Sequence, residues 1–177
     1  MDRSEKRDLQ QLNRRVVLSV FDWVGTLVTA LIVLSVMFSF FFRIVGVDGD
    51  SMLPSYKDGD MLLLDANEDT FRRGSVIVVD RYSDPPLIKR VIAVGGDTLT
   101  IDDDGVVTEN GKVLEERYIR GKTVLNNFDG EITVPHGYLF VMGDNRSISK
   151  DSRSDEIGLI SEKDVVGRVI RRVWPLR

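Results

Sequence analysis

The chain has no cysteine and a single histidine, His136, in 177 residues. The first lack excludes a disulfide framework and a thiolate nucleophile, and the second excludes a histidine-rich metal site. Basic charge is also short where it would count for nucleic acid. Residues 44–177 hold 18 Lys or Arg against 24 Asp or Glu, so a phosphate-binding surface has no electrostatic support and no nucleic-acid partner is expected. Neither an internal repeat nor a long flexible linker interrupts this stretch, which is large enough to bury one core. Absence of cysteine is compatible with export without establishing it.

What the chain does have is one long apolar run. From Trp23 to Phe42 twenty residues carry no charge. At about 1.5 Å per helical residue they reach about the 30 Å of a bilayer's hydrocarbon core. A cleaved signal peptide fits less well, because the run exceeds the usual apolar stretch and Phe40, Phe41, Phe42 and Arg43 stand where small residues would be needed. The expected organisation is a cytoplasmic tail over 1–15, an uncleaved signal-anchor over 16–43 and an extracytoplasmic domain over 44–177. Arg14 and Arg15, with Arg3, Lys6 and Arg7 upstream, outweigh Arg43 on the far side, so the positive-inside bias places the amino terminus in the cytoplasm. The lipid bilayer is thus an expected partner, and Asp22 lies at its inner boundary.

Beyond the anchor the pattern is β-rich and mainly antiparallel. Asp60–Leu64, Ser75–Val79, Leu87–Val94 and Tyr138–Met142 are short apolar runs bounded by Gly, Asp or Pro. Asp58-Gly59, Gly95-Gly96, Asp104-Gly105, Asn110-Gly111, Asp129-Gly130 and His136-Gly137 supply residues that tolerate positive φ. Residues 97–135 are more charged and read as a ribbon-like hairpin excursion. Asp102-Asp103-Asp104-Gly105 lacks the flanking helices and distal glutamate of a calcium loop, so it reads as a solvated turn and no metal is expected.

Two residues suggest chemistry. Ser51 stands in Gly-Asp-Ser-Met-Leu-Pro, nine positions beyond Phe42. A serine hydroxyl needs a neighbouring base to become a useful nucleophile. His136, between Pro135 and Gly137, reads better as a turn residue than as that base. Lysine can take the role where burial lowers its pKa toward working pH, and Lys89 lies in the apolar run Leu-Ile-Lys-Arg-Val-Ile. Strand alternation puts Lys89 and Val91 on one face and Ile88, Arg90 and Ile92 on the other.

The ordered boxes Gly49-Asp50-Ser51-Met52-Leu53-Pro54-Ser55, Lys89-Arg90-Val91-Ile92, Gly95-Gly96-Asp97, Gly143-Asp144-Asn145-Arg146 and Asp151-Ser152-Arg153, behind a membrane anchor, resemble those of type I signal peptidases. The resemblance runs from the anchor through about Gly158. It implies a serine endopeptidase that removes signal peptides from exported preproteins, with Ser51 as nucleophile, Lys89 as general base, an acyl-enzyme and no cofactor. The export machinery is a compatible further partner. It also implies that Ser149 orients the lysine, and that Arg90, Asp144, Arg146, Asp151 and Arg153 form an ionic scaffold around the pair. Ser51 and Gly49 mark the oxyanion site. Some relatives have serine at the latter position, but glycine offers no hydroxyl, which leaves the Ser51 amide with another main-chain amide or water. Val47, Met52, Tyr56 and Ile88 match the shallow apolar pockets that accept small residues before the cut. Three other readings fit parts of the pattern: a LexA-like self-cleaving protease, a maturase for pilin-like or conjugative substrates, and a catalytically silent peptide-binding module. The anchor in place of a DNA-binding domain disfavours the first.

Overall fold

The computed structural model describes residues 3–67, 70–80 and 85–175. They form two compact units, Met1–Phe41 and Phe42–Arg177. The first is one helix, α1 (Arg3–Phe41), whose stretch Arg14–Phe38 is long and apolar enough to cross a membrane. Its side chains from Arg14 to Phe38 are exposed, so its apolar surface is satisfied by no core within that unit. The helix stops two residues short of the boundary the sequence suggested. Phe42 and Arg43 instead open a strand, pairing with Asp65 and Leu64.

The second unit is mainly antiparallel β. Its strands are β1 (Phe42–Gly46), β2 (Met61–Asp65), β3 (Val76–Val79), β4 (Leu87–Val94), β5 (Thr98–Ile101), β6 (Val107–Glu109), β7 (Lys112–Val113), β8 (Glu131–Thr133), β9 (Tyr138–Met142), β10 (Ile160–Ser161) and β11 (Val165–Trp174). A seven-stranded sheet has the order β1-β2-β11-β3-β4-β9-β10, and a four-stranded sheet has the order β7-β6-β5-β8. The four runs singled out from the sequence are β2, β3, β4 and β9. Three of them carry unbroken or nearly unbroken apolar side chains because both faces of the large sheet are covered. In β3, Val76 and Val78 point into a core with Leu62, Leu64, Ile88 and Val169, while Ile77 and Val79 point into another with Val91, Leu139 and Val141.

The excursion between β4 and β9 is a small sheet with a core of its own making. Leu99, Ile101, Val107 and Val134 pack against Ile92, Phe140 and Met142 of the large sheet, and the rings of Phe128 and Phe140 stand 5.2 Å apart at 60°. Its tip between β6 and β7 is the Asn110-Gly111 pair, with φ of 48° and 77°, the double left-handed conformation of a type I′ hairpin. The segment after β7 returns to the large sheet at an isolated parallel bridge between Arg120 and Asn145. That contact delivers residues of the excursion to the loop following β9, where the candidate site lies.

Candidate active site

Ser51 lies in the turn between β1 and β2, and Lys89 in the first half of β4. Lys89 pairs in register with Ile77 of β3 and is 3% exposed. Its Nζ donates to Ser51 Oγ at 2.9 Å and to the Ile88 carbonyl at 3.0 Å. Burial removes water from the ammonium and pulls the Lys89 pKa down from 10.5 to about 8, against the opposing pull of Asp151 and Asp144. A substantial neutral fraction therefore exists near physiological pH, with its lone pair within reach of a hydroxyl proton.

The third wall of the site is the loop after β9. Gly143 is there because nothing larger fits: a Cβ on it would lie 2.6 Å from both the Ser51 carbonyl oxygen and the Ser149 Cβ. The Ser51 turn and the loop after β9 thus meet at one point. Ser149 is buried beside it, and its Oγ makes no hydrogen bond among the described residues, so the bond to Lys89 that the family pattern implied is not formed in this arrangement.

The ionic scaffold is almost entirely buried and fully partnered. Arg90 grips Asp144 with two hydrogen bonds, Nε to Oδ1 at 2.7 Å and Nη2 to Oδ2 at 2.6 Å, and its guanidinium lies over the Tyr118 ring, 4.1 Å from the centroid. Arg153 grips Asp151 in the same bidentate way, both bonds 2.8 Å, and donates further to the carbonyls of Val124 and Arg146 at 3.0 Å. Asp151 Oδ2 in turn accepts the Gly143 N–H at 2.9 Å. Arg146 donates to the Gly143 carbonyl at 3.1 Å and pairs with both carboxylate oxygens of Glu116. Planar guanidinium forks suit this work, since each leaves few unsatisfied donors in a dry environment. Ser55, the last residue of the Ser51 box, donates to Asp144 at 2.5 Å; Glu116, Thr123 and Tyr118 complete the network and were not singled out from the sequence. Only the acid-base imbalance of three arginines against two aspartates hinted that another carboxylate was required.

A cavity of about 320 Å³ opens beside Ser51 and Lys89. Val47, Ile88, Pro86, Leu87 and Ile148 supply its apolar wall, with Asp48 and Lys150 also lining it. Of the four expected pocket residues, Val47 and Ile88 line this cavity. Met52 is 1% exposed and belongs to the core with Leu62 and Leu64, and Tyr56 packs against that same core. The turn between them is closed by the Tyr56 N–H donating to the Met52 carbonyl at 2.9 Å. Pro86, Leu87 and Ile148 take the wall instead; the apolar Pro85-Pro86-Leu87 run just before Ile88 was the sequence signal for part of it. The Gly49 N–H donates to Asp58 Oδ1 at 3.0 Å, so it presents no free donor to the cavity. His136 is exposed in the turn before β9 and lines no part of this cavity. No group of metal-ligating side chains was found among the described residues.

A serine hydroxyl against a buried lysine amine, on an antiparallel β scaffold with an apolar cleft beside it, is equipment that suits a serine hydrolase. The family model for "Signal peptidase, peptidase S26" matches residues 20–174. Signal peptidase I of Bacillus licheniformis is 34% identical over 84% of this chain and 86% of its own length. Signal peptidase IB of Staphylococcus aureus (strain COL) is 29% identical over 88% of this chain and 90% of its own. A crystal structure of a signal peptidase I from Enterococcus faecalis V583 aligns with a TM-score of 0.44 and 27% identity, over 56% of this chain and 96% of that one. The chain belongs to the signal peptidase family, peptidase S26, and is a serine endopeptidase of the bacterial type I class.

Proposed function

We propose that this protein is a membrane-bound endopeptidase that cuts N-terminal signal peptides from exported preproteins through a Ser51/Lys89 dyad. The observation that carries the reading is the 2.9 Å contact between Ser51 Oγ and the Nζ of a buried lysine. Neutral Lys89 takes the hydroxyl proton as Oγ attacks the scissile carbonyl. The tetrahedral intermediate collapses with loss of the amine, which receives the proton from Lys89. The acyl-enzyme on Ser51 is then attacked by water, activated by the same amine, and the serine is released. Ser149, buried and with its Oγ unpartnered among the described residues, orients the Lys89 amine during turnover. Arg90, Asp144, Arg146, Asp151 and Arg153 hold the three backbone stretches together and transfer no proton.

Substrate selection follows from the cavity and the strand edge. β9 pairs with Arg90–Val94 and not with Leu87–Lys89, which leaves one edge of β4 open where an extended peptide can add as a strand. The apolar wall of Val47, Pro86, Leu87, Ile88 and Ile148 then accepts small uncharged side chains ahead of the cut. The amino-terminal tail faces the cytoplasm, α1 spans the bilayer, and the unit Phe42–Arg177 works on the outer side, where signal peptides emerge. The test is cleavage of a detergent- or vesicle-presented preprotein by the wild type, Ser51→Ala and Lys89→Ala, with product termini read by mass spectrometry. Both folded variants should lose site-specific cleavage. A wild type that binds extended peptides and cuts none of a broad preprotein panel would instead establish a binding module.

A further inference from the structure

Both carbonyl groups flanking Ser51 are held by one buried residue that has no part in proton transfer. Asn145 Nδ2 donates to the Asp50 carbonyl at 3.1 Å, and the Asn145 backbone N–H donates to the Ser51 carbonyl at 2.9 Å. The side-chain orientation is set by its other end, where Oδ1 accepts from Ser147 Oγ at 3.3 Å. The Asp50 carbonyl also accepts from Leu53 N–H at 3.2 Å. That bond is internal to the turn and fixes its shape; the Asn145 bond fixes how the turn sits against the loop after β9. Asn145 further accepts the Ser149 N–H at 3.1 Å through its own carbonyl, so one residue ties the Ser51 turn to the segment bearing Ser149.

We propose that Asn145 is the positioning residue of the oxyanion site, acting through the Asp50–Ser51 peptide plane. The inference rests on the reading of Ser51 as nucleophile. A trans peptide points its C=O and the following N–H in opposite directions, so a fixed Asp50 oxygen is a fixed Ser51 N–H. That N–H donates to no acceptor among the described residues. It carries more of the stabilisation than a single amide usually must, because position 49 lacks a hydroxyl and the Gly49 N–H is spent on Asp58. When Ser51 Oγ attacks, the carbonyl oxygen takes the electron pair of its π bond and gains negative charge. A donor already aimed there stabilises that charge without reorganising. Loss of the Nδ2 bond leaves the amide present but free to rock with the turn.

The experiment uses full-length protein in detergent, as wild type, Asn145→Ala and Asn145→Asp. The aspartate keeps the shape and removes the donor, so it serves if the alanine variant does not fold. Preprotein turnover is measured beside the affinity for a peptide boronic acid and for the matching peptide amide. The boron accepts an electron pair from Ser51 Oγ as the hydroxyl proton passes to Lys89, which makes an anionic tetrahedral adduct with an oxygen in the oxyanion position; the amide reports ground-state binding alone. The variants should lose about ten- to hundredfold in kcat, less than deletion of a donor outright, with KM unchanged. Boronate affinity should fall with kcat, amide affinity should hold, and in Asn145→Ala the midpoint of the alkaline activity rise should stay where the wild type has it. Turnover within twofold of wild type, or boronate and amide affinities falling together, overturns the proposal. If the wild type cleaves no preprotein the signal-peptidase reading fails, while boronate affinity equal in wild type and variants defeats the role of Asn145 by itself.

Discussion

Lys89 is a charged residue kept where a charge is costly, and its pH behaviour is the sharpest signature of the site. With its pKa at about 8, the amine is mostly protonated below that pH and mostly free above it. Turnover under kcat/KM conditions should therefore climb about tenfold per pH unit on the acid side and level off above the midpoint. A profile flat from acid to alkaline pH would remove lysine as the rate-controlling base. The same shift has a stability consequence of definite sign. The unfolded chain holds its lysine proton up to 10.5, so between about 8 and 10.5 it binds more protons than the folded state and stability rises with pH. Below that window the full cost of the buried ammonium remains. Lys89→Met should thus be inactive yet more stable at pH 7 by about 1–3 kcal/mol, an advantage that shrinks toward pH 10. Thermal denaturation at both pH values checks it. The burial of Lys89 and its contact with Ser51 were foreshadowed by the ordered boxes around them, because a lone serine in a turn or a lone lysine in a strand reads equally well as a surface residue. The core packing of Met52 and Tyr56 was not legible, since an apolar residue near a turn reads alike as pocket or core until the fold shows its neighbours. Glu116 lies among other surface-like charges, and only the fold shows that it neutralises Arg146.

At the level of elements, the site is a junction of the Ser51 turn, β4 and the loop after β9, and its precision depends on how closely those three approach. Gly143→Ala puts a methyl group into the Ser51 carbonyl and the Ser149 side chain, so the turn must retreat. The strain should cost about 1–3 kcal/mol. The displacement should lower kcat about a hundredfold, because near-attack geometry tolerates little error. A variant with wild-type turnover would show that the junction is looser than the contact distances require. Glu116→Gln probes the same junction from the excursion. It leaves the Arg146 guanidinium, fully buried, without its anionic partner, and should cost about 3–5 kcal/mol, read from urea unfolding. Three of the four strands that sequence patterning reached, β3, β4 and β9, are covered on both faces. β11 escaped it for a physical reason. Its run Val-Val-Gly-Arg-Val-Ile-Arg-Arg-Val-Trp carries three arginines and two register shifts against β2, so no period of two survives, and Arg172 points inward to pair with buried Asp60 at 2.8 Å. β1 and β10 are short and at the sheet's edges, where pairing rather than composition makes them strands.

The whole molecule joins a helix with no buried described side chain to a β unit whose three cores draw on no residue of that helix. The β unit has cores of its own, so removal of residues 1–41 should leave the thermal midpoint of 42–177 within a few degrees of the full chain in detergent. Catalysis divides differently. For a short soluble peptide the anchor brings no advantage, since enzyme and substrate meet by free diffusion in either case, and kcat/KM should be the same with and without it. For a preprotein embedded in a vesicle, a helix that spans the bilayer as proposed would confine both partners to one surface and convert a three-dimensional search into a local one. Effective-concentration gains of this kind run to about 10²–10⁴, and the truncated enzyme should lose a factor in that range on the embedded substrate alone. Assaying both enzymes on both substrates separates the two roles. Equal losses on peptide and preprotein would mean that the helix supports the structure of the site, and no loss on either would mean that the β unit reaches the bilayer through its own surface.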